Sequence, residues 1–344
     1  MGGVRRAERI QSADNDKRFS CKIGRIVYDT SMQELINRII CGDCIEVLGK
    51  IGEPFADLIF ADPPFNIGYK YDRYYDKVKK KNYIAWTKEW MGVCKGVLKP
   101  HGSFYIAIGD DYAANVKIIG DDLGLVMRNW IIWHYTFGQQ TKSKFARAHT
   151  HIFYFVNDAK NFTFNDHAVR VPSDRQLIYN DKRANPVGKM PDDVWNSDSR
   201  VCGTFRERAG WHPCQMPESL LKRIIAASSN PSDCVLDPFS GSGTTAAAAC
   251  QMRRSYVGIE ISKTYVQNST RRLAELKNRR SAGLFLDGVE LDELQRLSRD
   301  IQIAPRDIVS DPSLLKLFAG QFAVRMNHGK RYDVKQIATA LKDL

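Results

Sequence analysis

Eight cysteines in 344 residues are too few and too scattered for a disulfide framework. Only Cys41 and Cys44 stand as a C-x-x-C pair, and no second pair follows at zinc-ribbon spacing. They read as reduced thiols in a cytoplasmic chain, with no metal among the expected ligands. No apolar run approaches the length of a membrane span. The opening MGGVRRAERIQSADNDKR has basic residues but no apolar stretch behind them, so no signal peptide is expected. Arg6 stands where myristoylation would want Ser or Thr. There is no internal repeat and no low-complexity segment. With 43% hydrophobic residues, 24 Gly and 13 Pro, the chain is too apolar for disorder and too poor in Gly and Pro for a fibre. Acidic residues are the last shortage: 39 Asp and Glu face 51 Lys and Arg, leaving +12. That excess favours a polyanionic partner, either nucleic acid or an anionic membrane surface, and charge alone does not choose between them.

The length allows two or three domains, or one large α/β domain with an insert and a tail. Residues 1–20 are polar and read as a loose arm. From there to about 280, short β-branched or aromatic runs alternate with helix-like stretches. The strand candidates are 56–62, 102–110, 128–137, 151–158, 234–239 and 255–261, with amphipathic stretches at 82–98 and 111–123. This alternation predicts an α/β fold: a mostly parallel, buried sheet with helices on both faces. Residues 160–211 are polar and without period, and read as a functional insert. Residues 281–344 carry nine basic and nine acidic residues, so the whole positive excess lies upstream of them. Helical spacing in LDELQRLSRDI and VKQIATALKDL, with Pro305 and Pro312 between, makes this tail a small helical extension. It is expected to contact the polyanion or a second subunit, and its neutral charge favours the protein contact.

Two motifs carry chemistry. Asp62-Pro63-Pro64-Phe65 ends the strand ADLIFAD, where an open α/β sheet places its ligand crevice. The prolines fix the backbone and remove two amide donors. A carboxylate and fixed carbonyls then form a cluster of acceptors suited to an exocyclic amino group, beside an aromatic face that can stack on a planar ring. The plainer reading is a strand exit capped by prolines. In the second motif, VLDPFSGSGTT (235–245), a strand leads through Gly241 and Gly243 into an Ala-rich helix from Thr244. The glycines permit a tight turn and close ligand approach. Glu260 ends the next strand, where a carboxylate can accept from ribose hydroxyls. Together these point to an adenosine-containing cofactor. A third glycine and a P-loop Lys are missing, which counts against NAD and ATP.

The pairing of D-P-P-F with D-P-F-S-G-S-G-T-T resembles the amino-methyltransferases of DNA, and the order of the motifs is that of their β class. Ile40-Cys41-Gly42-Asp43-Cys44 resembles the family's strand end at the cofactor's adenine, and His212-Pro213-Cys214-Gln215-Met216-Pro217-Glu218 its H-P-x-Q-x-P segment. The match covers roughly residues 38–275. It implies a Rossmann-like fold in permuted order, with catalytic domain 21–280 and the insert as target-recognition region. S-adenosylmethionine is the implied methyl donor. Asp43, Cys44, His212, Pro213, Gln215, Asp237, Pro238, Phe239, Gly241, Gly243, Thr244 and Glu260 are the implied cofactor site. The implied catalytic residues are Asp62, Pro63, Pro64 and Phe65, acting on adenine N6 of a base flipped from duplex DNA. Double-stranded DNA, a homodimer and a cognate restriction endonuclease are the partners it brings.

Cytosine N4 is the alternative target, because the link between a leading Asp and adenine is imperfect. An RNA or protein-glutamine methyltransferase would keep the glycine turn first. A non-catalytic binding module would not need the motifs intact, and an oxidoreductase leaves D-P-P-F unexplained. For DNA contacts the candidates are Lys70, Arg73, Lys79 and Lys80, interleaved with Tyr69, Tyr71, Tyr74 and Tyr75, and Arg183 and Arg206 in the insert. A solvated helix face is the duller reading of the first group. Asn66 is expected to shape that loop. His134 reads as a polar residue among the aromatics of its strand, and His149 and His151 as structural or as DNA-backbone contacts rather than metal ligands.

Overall fold

The computed structural model describes residues 32–342 except 140, 180, 186, 197, 204–206, 281–285, 287 and 327–331. The proposed arm and Arg206 therefore lie outside the described residues. The elements run α1 (Met32–Leu35), β1 (Arg38–Cys41), α2 (Cys44–Leu48), β2 (Ala56–Ala61), α3 (Lys80–Val97), β3 (Leu98–Ile108) and α4 (Asp110–Asp122). After these come β4 (Val126–Gln139), β5 (Arg147–Val156), α5 (Asp174–Leu177), β6 (Val194–Trp195), α6 (Glu218–Ser228), β7 (Cys234–Asp237), α7 (Thr244–Gln251) and β8 (Ser255–Glu260). Five helices close the chain: α8 (Lys263–Arg280), α9 (Gly288–Ile301), α10 (Pro305–Ser310), α11 (Pro312–Met326) and α12 (Val334–Lys342).

Eight strands form one sheet in the order β1-β8-β7-β2-β3-β5-β4-β6. The first five are parallel, as their continuous apolar runs predict; every residue of β2 is buried. The sheet is mostly rather than wholly parallel, because β5 runs antiparallel to both β3 and β4. A run such as HIFYFV is buried in either direction, so its hydrophobicity does not report its partner's polarity. The insert is also less irregular than its composition suggests. Within it β6 pairs parallel with β4, and Trp133 Nε1 donates to the Asp198 carbonyl at 2.6 Å. Two residues are too short for a period to register.

Helices cover both faces. Tyr83, Trp90, Met91, Val116 and Ile119 from α3 and α4 pack on one side. Leu220, Ile224, Ala246–Ala249 and Leu273 from α6, α7 and α8 pack on the other. At the amino ends of the strands, buried Asp57 accepts from Lys99 Nζ, His101 Nε2 and the Cys234 amide, each at 2.9 Å, and so ties β2, β3 and β7 together. No helix among the described residues is long and apolar enough to cross a membrane.

The chain reverses its winding between β7 and β2. From β7 it passes through α7 to β8 on one side, and from β2 through α3 to β3 on the other. Such a reversal opens a crevice at the carboxyl ends of the two strands. Asp62 and Asp237 lie there, although the chain separates them widely.

Helices α9–α12 bury their own cluster around Leu294, Leu297, Phe318, Phe322 and Ile337. This cluster meets the rest of the chain through buried charge. Arg325 holds Glu293 at 2.9 Å and Asp300 at 3.1 Å, Arg296 holds Glu293 at 2.8 Å, and Arg223 of α6 reaches Asp300 and Asp198. Arg325 also donates to the Arg170 carbonyl in the insert at 2.9 Å. Burial pushes the Glu293 carboxyl up, but Arg296 and Arg325 overcome it and hold the group below its ordinary range. Removing one member of a buried pair strands the other's charge at about 3–5 kcal/mol. Glu293→Ala, which strands two arginines, is therefore expected to lower the urea-unfolding free energy by about that much. Breaking the exposed pair Lys117–Asp121 should change it by less than about 1 kcal/mol.

Candidate active site

Beyond β2 the chain passes through Asp62-Pro63-Pro64-Phe65 outside any helix or strand. The Pro64 carbonyl accepts from Tyr83 Oη at 2.6 Å, which pins the motif to α3. The Pro63 carbonyl and the Asp62 carboxylate take no hydrogen bond from the described residues, so both remain available as acceptors. Phe65 lies against Gly109 at the end of β3, where an added Cβ would sit 3.3 Å from its ring.

Asn66 adopts a left-handed backbone (φ 59°) and closes the base of the loop that follows. Its side chain donates to the Val78 carbonyl at 3.1 Å and to Tyr112 Oη at 2.6 Å, and accepts from the Val78 amide at 2.7 Å. The loop then arches across the crevice. Ser262 Oγ, just past β8, donates to Asp72 at 2.6 Å, and Tyr71 Oη lies 3.9 Å from Cys214 Sγ. Tyr71 and Tyr74 stack at 4.8 Å and face inward, while Tyr69, Tyr75, Lys70, Arg73, Lys79 and Lys80 are exposed. Sequence grouped the four tyrosines together; the fold divides them. Burial, then the neighbouring Cys214 and Tyr74, push the Tyr71 phenol far up, so it stays neutral.

The turn after β7 is built from both sides. Phe239 wedges against Trp86 and Trp90, with ring centres at 5.7 and 5.1 Å. Its amide donates to Asp237 at 2.9 Å, and the Gly241 amide donates to Glu260 Oε2 at 2.9 Å. Glu260 Oε1 accepts from Ser262 at 2.7 Å. Gly241 (φ 46°) permits the approach of His212, because a Cβ there would meet Nε2 at 2.8 Å. Gly243 (φ 71°) starts α7, where a Cβ would meet Ser269 at 2.7 Å. Arg272 fixes the turn: it donates to the Ser242 carbonyl at 3.0 Å and Thr244 Oγ1 at 3.1 Å, and pairs with Glu218 at 2.6 Å. Thr244 thus helps to hold the turn, and Pro238 is buried within it.

The remaining predicted positions divide. Asp43 caps α2 through the Ile45 amide at 2.8 Å, and the Cys44 thiol is buried in the core, its pKa raised by burial. His212 packs at 4.8 Å on Tyr265; burial lowers its pKa to about 4, so the imidazole is neutral. Gln215 accepts from the Ala209 amide at 2.8 Å and donates to the Glu207 carbonyl at 2.7 Å, which occupies both ends of its amide in holding this loop. Pro213 is exposed. Arg183 is exposed and pairs with Asp181 at 3.0 Å.

Burial, then the charge of Asp237, raise Asp62 to about 7, and nearby Arg200 opposes them. Asp237 is likewise pushed to about 7 by burial, against the Thr245 hydroxyl and the Phe239 amide. Arg200, over the Tyr135 ring at 5.2 Å, belongs to no motif and sequence reading missed it. Arg272 and Glu218 were missed as a pair, since 54 residues separate them. A spacing of i,i+4 would have shown them; tertiary packing alone brings these together.

An adenosine-containing cofactor fits this turn. The Glu260 carboxylate ends β8 against the Gly241 turn, held there by the Gly241 and Ser262 amides, where a ribose hydroxyl can donate to it. Gly241→Ala, strained at φ 46° and pressed on His212, is expected to weaken S-adenosylmethionine binding in calorimetry by about tenfold or more, with the far-UV spectrum unchanged.

The family model described as DNA methylase matches residues 56–271. The Type II methyltransferase M.HpaI of Haemophilus parainfluenzae is 39% identical over 238 residues, 69% of this chain and 74% of that protein. The DNA adenine methyltransferase YhdJ of Escherichia coli (strain K12) is 41% identical over 245 residues, 68% of this chain and 82% of that one. Among solved structures, PvuII DNA methyltransferase (cytosine-N4-specific) superposes with a TM-score of 0.54 at 19% identity, over 76% of this chain and 92% of that one, and shares the fold. A crevice with free acceptors on one strand, a glycine turn on its neighbour and a match along most of the sheet lead to one conclusion: the chain belongs to the DNA methylase family of amino-methyltransferases.

Proposed function

We propose that this enzyme, an S-adenosylmethionine-dependent DNA methyltransferase, methylates the exocyclic N6 of adenine in duplex DNA. The observation that carries the reading is the pair of unengaged acceptors, Asp62 Oδ and the Pro63 carbonyl, beside the glycine turn at the winding reversal. Two acceptors match the two N–H bonds of an exocyclic amine. When bound, S-adenosylmethionine supplies an activated methyl group on a sulfonium. Glu260, the Gly241 turn and His212 would hold it. The relative YhdJ, named a DNA adenine methyltransferase, and the leading Asp both favour adenine over cytosine N4.

The chain's own part is positioning and charge. The amine's lone pair is delocalised into the ring; acceptors placed on both N–H bonds favour a tetrahedral nitrogen and stabilise its developing positive charge. An Asp62 carboxyl near 7 can then take the proton that this nitrogen releases. The base must leave the duplex to reach these groups. Phe65 supplies a ring for it to stack on, and Tyr71 and Tyr74 shield the crevice from water. We assign catalysis to residues 21–280, target recognition to the insert 160–211, and an accessory role to the helical extension 281–344. Exposed Lys70, Arg73, Lys79 and Lys80 would meet phosphates.

Only the ionised form of Asp62 offers all its lone pairs. Turnover is therefore expected to rise with pH through about 7 and level off above it. Because Arg200 favours the ionised form, Arg200→Ala should move the inflection to higher pH; a profile unmoved or moved downward would refute that role. In DNA from a methylation-deficient host expressing the protein, nucleoside mass spectrometry should detect N6-methyladenine, and none with Asp62→Ala. N4-methylcytosine in its place would overturn the base assignment.

A further inference from the structure

The β4–β5 hairpin carries a feature that methyl transfer as described leaves unused. Phe145, close to its tip, is 100% exposed. Single exposed apolar side chains are common, but they keep part of their surface covered; a phenyl ring wholly in water buries nothing in the fold. Its surroundings name the kind of partner. From Val126 to Val156 the chain contains no Asp or Glu, and Lys142, Lys144 and Arg147 flank the ring. Arg147 is neutralised by Asp110 and Asp111, while among the described residues Lys142 and Lys144 form no ion pair, so these two give the tip a cationic character that suits a polyanion.

The tip also stands at the active-site end of the sheet. Ile108 at the carboxyl end of β3 pairs with His151 of β5, so the start of β5 projects past that end. Arg147 binds Asp110 at 2.9 Å and Asp111 at 3.6 Å. Asp110 follows Gly109, the residue on which Phe65 of the acceptor motif rests. Phe145 lies two residues beyond Arg147, about 7 Å of extended chain. The Thr141 hydroxyl donates to the Lys144 carbonyl within the turn that carries the ring.

We propose that Phe145 is a wedge, which enters the base stack of duplex DNA and fills the space left when the target base swings out to Asp62, with Lys142 and Lys144 on the flanking phosphates. Apolar side chains inserted between base steps offset the loss of stacking that an extruded base causes. This role rests on the DNA reading above and adds a positioning residue to it.

The test compares wild type, Phe145→Ala and Phe145→Trp in methyl transfer from labelled S-adenosylmethionine to plasmid DNA from a methylation-deficient host, with cofactor affinity measured alongside. A wedge acts after DNA is bound, so Phe145→Ala should lower kcat about tenfold or more while KM for plasmid changes by less than about threefold. Phe145→Trp, which restores a flat ring, should recover most of kcat, and both variants should bind S-adenosylmethionine like the wild type. An undiminished kcat in Phe145→Ala would overturn the wedge while leaving the methyltransferase reading intact. Loss of cofactor affinity, or failure of Trp to restore turnover, would overturn it too. No transfer by the wild type would refute the DNA reading itself, and the wedge with it.

Discussion

Asp62 and Asp237 end neighbouring parallel strands inside one low-dielectric crevice, and the cost of burying their charge governs what is built around them. Burial pushes each carboxyl to about 7, and the charge of Asp237 adds to the rise at Asp62. The fold answers them differently. Asp237 receives the Phe239 amide and lies against Thr245, so it acts as an anchor of the turn. Among the described residues Asp62 receives no donor, and the charge of Arg200 favours its ionised form. This asymmetry leaves Asp62 as the acceptor free to meet a substrate.

The same logic extends to the loop over the crevice. Its inward pair, Tyr71 and Tyr74, can border a carboxylate because their own burial keeps them neutral. Its outward lysines remain solvated, where their charge costs little and attracts phosphate at a distance. The loop is fastened at its base by Asn66 and at its crown by Ser262, which follows directly on the strand that ends in Glu260. Acceptor motif, aromatic cover and glycine turn are therefore mechanically linked.

On the other side of the sheet, the extension α9–α12 is docked by buried ions as much as by apolar contact. Three arginines, Arg223, Arg296 and Arg325, meet three carboxylates, Asp198, Glu293 and Asp300. Asp198 belongs to the insert, and Arg325 also holds the insert's Arg170 carbonyl. The extension's neutral composition conceals this, although within it Arg296 and Arg325 are matched by Glu293 and Asp300, and Asp300 also meets Arg223 of α6. Matched charges in low dielectric fix one arrangement firmly, since any shift strands an ion.

The sequence by itself determined the strands whose apolar runs are long, the helices between them, and the two turns whose chemistry admits few alternatives. Gly241 and Gly243 were legible because left-handed backbone and close approach exclude a Cβ. Asp62-Pro63-Pro64 was legible because fixed carbonyls without amide donors are rare and suit one kind of ligand. Tertiary structure alone decided the rest. It set the antiparallel direction of β5, placed β6, and divided the four tyrosines between inside and outside. It also brought Arg200 near Asp62 and Arg272 to Glu218, and placed Phe145 at the active-site end. None of these has a local signature, because a side chain's partner across the fold depends on strand order and register, which residue spacing along the chain does not encode.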